Sequence, residues 1–436
     1  MPDWKKVARR LWSAPSPPRR PSQVPPGLYH YVREGDGAIH RFHLRVDEDG
    51  GLLLADASAA VRLHPSGVLI AKAVLDGKTG DQILARLAEA YDDTTRERLV
   101  EDIAEVRKLI GRLESPSGDY PVLNLSDPSF SQKTALPRRP FGADVALGDP
   151  KQTAAMLHRL WEMAIPHVTF VLPERFEDDD LVRSVERAED IGMIAGVRAR
   201  GNDLCRGTLL ADLVTVGIDH VNVLYLSAQA EIHNALAGTD DHARAVTILT
   251  RSCELEVCPV AEVPLIQTTL EGMSPMLQSL VGYGVSNAAF FALATAGPVP
   301  AGGPLEPDAV VHAAAVVEES ADALDLRFVW YPAVEHNPAE DLGRQIRRGP
   351  RCSGDASIRV EADGSVFAAR GPRVAGGNLL TDSWEKIVVS EAFQNYRRRL
   401  ACDTRCEHCP GLVTCAADCP RNPLSWACLE SRRAPQ

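Results

Sequence analysis

Hydrophobic and polar positions change their period several times along this chain. Alternation in HRFHLRV and GLLLADAS, split by the polar turn DEDGG, predicts a β-hairpin over residues 40–58. AAVRLHPSGVLIAKAVLDG continues with a short strand and a first helix. TGDQILARLAEAY then takes a helical period, with Thr79 as N-cap and Ile83, Leu84, Leu87 and Tyr91 on one face. TRERLVEDIAEVRKLIGRLE repeats it through Leu99, Ile103, Val106, Ile110 and Leu113. A small sheet followed by three helices is a winged-helix-like arrangement, expected over 28–114.

From about 141 to 335 the pattern alternates between short apolar runs and helical periods. The expected strands are GADVAL, HVTFVL, GMIAGVRA, HVNVLYLS, CPVAEVPLI, NAAFFALA and LRFVWYP. Between them KQTAAMLHRLWEMA, DLVRSVERAEDI, LLADLVTV, DHARAVTILTRS and PMLQSLVGY read as helices. Repeated βα units require right-handed crossovers and a mostly parallel sheet, open or rolled into a partial or full barrel. Residues 1–27, rich in Pro, Ser and Arg, read as a disordered leader, and 115–140 as a linker.

Composition narrows the function. Apolar residues make up 45% and charged residues 24%, ordinary for a globular protein. A net charge of −12 argues against nucleic acid as a partner, because phosphate binding needs a basic surface. With few basic residues on its helices, the first unit suits peptide binding better than DNA reading. No apolar run approaches the length of a membrane span, and the basic N-terminal stretch lacks the apolar segment of a secretory signal. A cytoplasmic, reducing location follows, where grouped cysteines serve as ligands rather than disulfides.

Six of the ten cysteines fall in the last 35 residues. Cys406, Cys409, Cys415 and Cys419 form C-x2-C-x5-C-x3-C, with Cys402 before them, Cys428 after them and Cys352 farther upstream. Thiolates at this density hold a metal or an iron–sulfur cluster, since four soft sulfurs close a tetrahedral site. Cys205, Cys253 and Cys258 stand apart and read as inert core thiols. His220, His233, His242 and His312 are scattered and read as polar surface or loop residues. The run Glu177-Asp178-Asp179-Asp180 reads as a helix start, where carboxylates suit the positive end of the dipole. No P-loop, G-x-G-x-x-G, G-x-S-x-G or H-E-x-x-H motif is present.

Three resemblances follow from these stretches. VRLHPSG, IAKAVLDGKTGDQILARLAEAYD and the closing helix resemble PqqD-like precursor-recognition domains of ribosomal-peptide maturation, which implies a leader peptide added to the sheet edge. IPHVTFVLPERFEDDDLVRSVERAEDIGMIAGVRARGNDL and VGIDHVNVLYLSAQAEIHNALAGTDDHARAV are similar to the partial β/α barrel of radical SAM enzymes. That family places C-x3-C-x2-C after its first strand, whereas GADVALGDPKQTAAM has no cysteine and almost no loop. Its glycine-rich SAM-facing stretch is replaced by Leu172-Pro173-Glu174, bulkier and one N–H donor poorer. From about 345 to 436 the chain resembles the SPASM auxiliary-cluster domain, through Cys352, Gly364, the stretch GGNLLTDSWEKIVVSEAFQNYRRRL and the terminal cysteines. Ala369 stands where that domain has its second cysteine.

The resemblance implies one [4Fe–4S] cluster on Cys406, Cys409, Cys415 and Cys428, with structural zinc as the alternative. It implies a second, incomplete site from Cys352 and Cys419, with Cys402 as a stand-in. The expected protein is α/β: a partial TIM-type barrel over 141–335 between a winged-helix-like unit and a cysteine-rich SPASM-like domain. The reading expects neither SAM as a cofactor nor any catalytic residue. It expects a peptide-binding or partner protein, acting with a precursor peptide or an intact radical SAM enzyme. A peptide-modifying enzyme, or an electron-transfer component for such an enzyme, is the alternative.

Overall fold

The computed structural model describes residues 24–35, 38–48, 50–55, 59–91, 95–114, 139–295, 299, 301–354, 357–369 and 373–394. The terminal cysteines Cys402, Cys406, Cys409, Cys415, Cys419 and Cys428 lie outside these residues.

The first unit is a four-stranded antiparallel sheet in sequential order, β1 (Gly27–Gly35), β2 (Ala38–Asp47), β3 (Gly50–Ala55) and β4 (Ala59–Leu63), followed by three helices. The expected hairpin is β2–β3, and the expected helices form over Pro65–Leu75, Gly80–Ala90 and Arg96–Leu113. The second helix starts at a capping box in which the Thr79 hydroxyl accepts from the Gln82 amide and the Gln82 side chain accepts from the Thr79 amide. Its face of Ile83, Leu84 and Leu87 packs with Leu99, Ile103, Ile110 and Leu113 against Phe42, Leu44, Val46 and Leu53 of the sheet. Val24 is fully buried in the same core, so the folded unit begins inside the stretch read as a disordered leader. Strand β1 was not expected from the pattern.

The second unit is a parallel sheet with helices on one face. Strands β5 (Gly142–Ala146), β6 (His167–Val171), β7 (Ile194–Ala199), β8 (His220–Leu224), β9 (Cys258–Leu265), β10 (Asn287–Ala294) and β11 (Arg327–Trp330) pair in chain order. All seven expected strands form, and the acidic run begins the helix Asp178–Asp190 as expected. The helix Pro307–Ala323 was not expected, although it buries Val310, Ala313, Ala314, Val317 and Ala321 at helical spacing.

Each of six helices returns to the sheet through the same turn. The residues in the left-handed region are Ala164, Gly192, Gly217, Glu256, Gly284 and Asp325. Just after each, one amide reaches back five residues: Ile165 to Leu160, Met193 to Ala188, Ile218 to Leu213, Val257 to Ser252, Val285 to Leu280, and Leu326 to Ala321. This is the Schellman stop, which satisfies the last helical carbonyls before a strand begins.

Side chains alternate along the strands. Val145, Phe170, Val197, Val223, Val263 and Phe290 face the helices, while Leu224, Val260, Ala289, Phe291 and Tyr331 line the opposite face. Asn222 on β8 donates to the Tyr331 hydroxyl just after β11 at 2.8 Å. Three strand spacings on a flat sheet would separate them by about 14 Å, beyond the reach of both side chains. The sheet therefore curls, and its inner face is a barrel interior.

The barrel is open. A short strand β12 (Val334–Glu335) pairs with β10, and β5 pairs not with β11 but with β13 (Ser357–Val360), which continues antiparallel into β14 (Ser365–Ala368) and β15 (Gly377–Asn378). The start of the region read as a separate cysteine-rich domain thus extends the barrel sheet.

Candidate functional site

The inner face of the barrel carries charged and polar side chains in the middle of otherwise apolar strands. Asp144 (β5), Thr169 (β6), Arg198 (β7), Asn222 (β8) and Glu262 (β9) are all buried. Arg198 Nε donates to Glu262 Oε2 at 2.6 Å, and its Nη1 donates to the Pro350 carbonyl at 2.8 Å. Asn222 Nδ2 donates to Glu262 Oε1 at 3.2 Å as well as to Tyr331. The Ser353 hydroxyl lies 2.7 and 2.8 Å from the two Asp144 carboxylate oxygens.

Burial sets the charges here. It pushes the Asp144 carboxyl up to about 6, although Arg198 and the Ser353 hydroxyl pull the other way. Burial opposes the Arg198 cation, yet Glu262 and then Asp144 outweigh it and hold the guanidinium above its ordinary range. The Tyr331 phenol is raised by burial, then by Glu262. One buried cation is therefore shared by a close, hydrogen-bonded carboxylate and a second carboxyl that burial raises.

The upper part of the same interior is apolar. Helix Leu342–Arg348 crosses it and places Ile346 among Leu224, Leu226, Val260, Ile266, Phe291, Leu293 and Tyr331. Arg347 ties this helix to the Leu236 carbonyl at 3.0 Å. A Cβ on Gly349 would lie 2.5 Å from Arg198 Nη2, so the chain passes directly over the guanidinium.

Towards the N-terminal ends of the strands the network becomes a row of imidazoles. Asn222 spends its Nδ2 on donation, so its Oδ1 accepts from His220 Nδ1 at 2.8 Å. His220 Nε2 is then the acceptor for His167 Nε2, at 2.7 Å. Both rings are buried and held neutral; burial lowers His220 to about 4 and His167 well below its ordinary value. Gly196 on the strand between them makes the room, since a Cβ there would meet the His220 ring at 1.9 Å.

His220 was expected at the surface and is instead fully buried in the barrel. His233 is corrected likewise: it is fully buried, accepts from the Leu226 amide at 3.2 Å and faces Asp241 at 3.3 Å. His312 is exposed, as expected. Cys205 is exposed after β7 and is not a core thiol. Cys253 and Cys258 are partly buried, and burial raises the Cys258 thiol to about 12.

The junction after β5, where the radical SAM resemblance would require three cysteines, spans only Leu147, Gly148 and Asp149 before the helix Pro150–Glu162. Asp149 caps that helix through the Lys151 and Gln152 amides. The Leu147 amide donates to Val171 at 3.0 Å, and a Cβ on Gly148 would lie 2.9 Å from the Ala362 Cβ. At the other expected site, Cys352 is fully buried among apolar side chains that include Ala369, Ile358, Val360 and Leu379. Arg351 holds this segment to β14 through the Ala368 carbonyl at 2.8 Å. Ala369 stands beside Cys352 where the resemblance would place a second thiolate, and Cys402 and Cys419, the other members of that expected site, lie outside the described residues. Among the described residues no group of three or more metal-ligating side chains converges, and no helix is long and apolar enough to cross a membrane.

No protein-family model matches the chain, and no curated protein matches it. Among solved structures, Streptococcus suis SuiB bound to S-adenosylmethionine is similar in fold, with a TM-score of 0.55 at 9% identity over 92% of this chain and 97% of SuiB. SuiB bound to the precursor peptide SuiA gives a TM-score of 0.55 at 10% identity over 92% and 98%. The shared architecture spans nearly both chains; at these identities it is a likeness of fold.

Proposed function

We propose that this chain is a peptide-binding partner protein in the maturation of a ribosomally made peptide, a degenerate radical SAM/SPASM relative that does not itself turn over SAM. The observation that carries the reading is the barrel interior. The Arg198–Glu262 pair, Asn222, Tyr331 and Ile346 fill the inner face from the chain's own residues. The three-residue junction after β5 leaves no cysteine-bearing loop. SuiB, on a fold of matching extent, binds both SAM and a precursor peptide; in this reading the present chain keeps the peptide half of that pair.

The peptide would add to the first sheet, in which β1 and β4 are the edge strands. An added strand gains main-chain hydrogen bonds along the edge. In the tail, Cys406, Cys409, Cys415 and Cys428 would hold one [4Fe–4S] cluster, or zinc. A closed four-thiolate site would order the tail and leave no open ligand position.

The decisive measurement is amide hydrogen exchange on the full chain, with and without a synthetic leader segment of the precursor encoded beside its gene. Slowed exchange confined to β1 or β4 is expected, together with no heat on titration with SAM. A calorimetric SAM isotherm, or unchanged exchange with every such peptide, overturns the reading.

A further inference from the structure

The outer face of the first sheet is buried against the floor of the barrel. Along β2, Phe42, Leu44 and Val46 point into the unit's own core, so Arg41, His43 and Arg45 point the other way. Alternation alone would give those three to solvent, yet His43 is 1% and Arg45 3% exposed. Arg41 pairs with Glu189 at the end of the helix Asp178–Asp190. Arg45 donates to the Pro140 carbonyl at 2.6 Å and lies 3.4 Å from Asp47. His30, opposite His43 on β1, meets its ring at a 45° tilt with centroids 5.0 Å apart and meets Trp161 edge-on at 6.3 Å.

Among the described residues His43 has no hydrogen-bond partner on either ring nitrogen, and His30 has none on Nδ1. The titratable and charged groups around His43 are His30 from β1, Arg41 and Arg45 from β2, His167 and beyond it His220 from the barrel strands, and Glu189 from the helix. The nearby carboxylates, Glu189 and Asp47, are engaged by Arg41 and Arg45. A proton on His43 would thus place three cations side by side on one strand, two of them, His43 and Arg45, buried from water.

We propose that this row of histidines is a proton-sensitive clasp: the N-terminal unit stays docked on the barrel floor while the imidazoles are neutral, and lifts off when they take up protons. The inference stands apart from the peptide-binding reading. Burial, with His30 and Arg41 added, lowers His43 to about 3, and burial with Arg41 lowers His30. Undocking returns each imidazole to water, where its value is near 6.5. Because the docked values lie below the free ones, docking is complete above about 6.5 and is lost as pH falls. The docking constant drops about tenfold per pH unit for each imidazole that must stay neutral.

Small-angle scattering and far-UV circular dichroism of the full chain between pH 7.5 and 5 test this. The radius of gyration is expected to rise as pH falls while the dichroism holds. His43→Leu, which loses no hydrogen bond, and His43→Gln are both expected to shift the expansion to lower pH. Arg41→Gln removes a docking ion pair without removing a titrating imidazole, so its expansion is displaced but as steep as in the parent. A constant radius, a loss of dichroism alongside the expansion, or His43 variants that expand at the parent's pH would each overturn the clasp.

Discussion

Replacing Glu262 with alanine removes the carboxylate hydrogen-bonded to Arg198 and leaves a buried guanidinium beside a carboxyl that burial keeps half-protonated near pH 6. The Arg198 side chain is 10% and the Glu262 side chain 1% exposed, so solvent cannot replace what is lost. Breaking a buried pair by deleting one partner costs about 3–5 kcal/mol, against a total domain stability of about 5–15 kcal/mol. Asn222 also loses an acceptor at 3.2 Å, which places the effect in the upper half of that range. With a urea m-value of about 3 kcal/mol/M, the midpoint of the barrel transition should fall by about 1.3–1.7 M. Asp144 remains as the second carboxylate near Arg198, so the loss should be smaller at pH 8, where Asp144 ionises, than at pH 5. The double variant Arg198→Met, Glu262→Leu removes both charges and should recover most of the loss. Urea melts followed by circular dichroism at the two pH values measure all of this. A loss under about 1 kcal/mol for Glu262→Ala, or a double variant no better than the single one, refutes an ion pair that fills the barrel.

Further expectations follow from the same geometry. Asp144→Asn removes a carboxyl whose folded value, about 6, lies above its ordinary range. Its neutral form is favoured on folding, a contribution present below about pH 4 and lost as pH rises through 6. The variant should therefore gain about 3 kcal/mol relative to the parent between pH 4 and 7, read from urea midpoints. Gly196→Ala drives a methyl into the His220 ring and should cost about 3 kcal/mol by thermal melting. Glu256→Gly relieves a left-handed residue at φ 59° in one of the six helix stops and should raise stability by about 0.5 kcal/mol, the strain relieved less the entropy of glycine. Cys409→Ser should lower the iron and acid-labile sulfide, or the zinc, recovered with anaerobically purified protein. Metal content equal to that of the parent would remove Cys409 from the ligand set.

Most of the scaffold was legible because it rests on local periodicity. The seven strands and the helices between them are set by apolar spacing and by stops that any single segment displays. Helix Pro307–Ala323 escaped because alanine dominates its buried face and blurs the contrast with its polar side. The site was harder to see. Asp144, Arg198 and Glu262 each interrupt a strand that parallel packing would make apolar throughout, and that interruption was the signal; which of them meet depends on how the sheet curls. His43 was missed for a related reason. His43 occupies the polar phase of a clean alternation, which predicts solvent, and only docking of a second unit turns that phase into an interface.

The close approach of Gly148 to Ala362 bears on engineering. A three-cysteine loop grafted after β5 would have to occupy the volume held by the turn between β13 and β14, and that hairpin is hydrogen-bonded to β5 itself. Insertion at 147–149 cannot be accommodated as a surface bulge, because it would pry apart the seam joining the barrel to the segment that leads into the cysteine-rich tail. Giving this scaffold a cluster loop would therefore mean rebuilding two distant stretches of chain together.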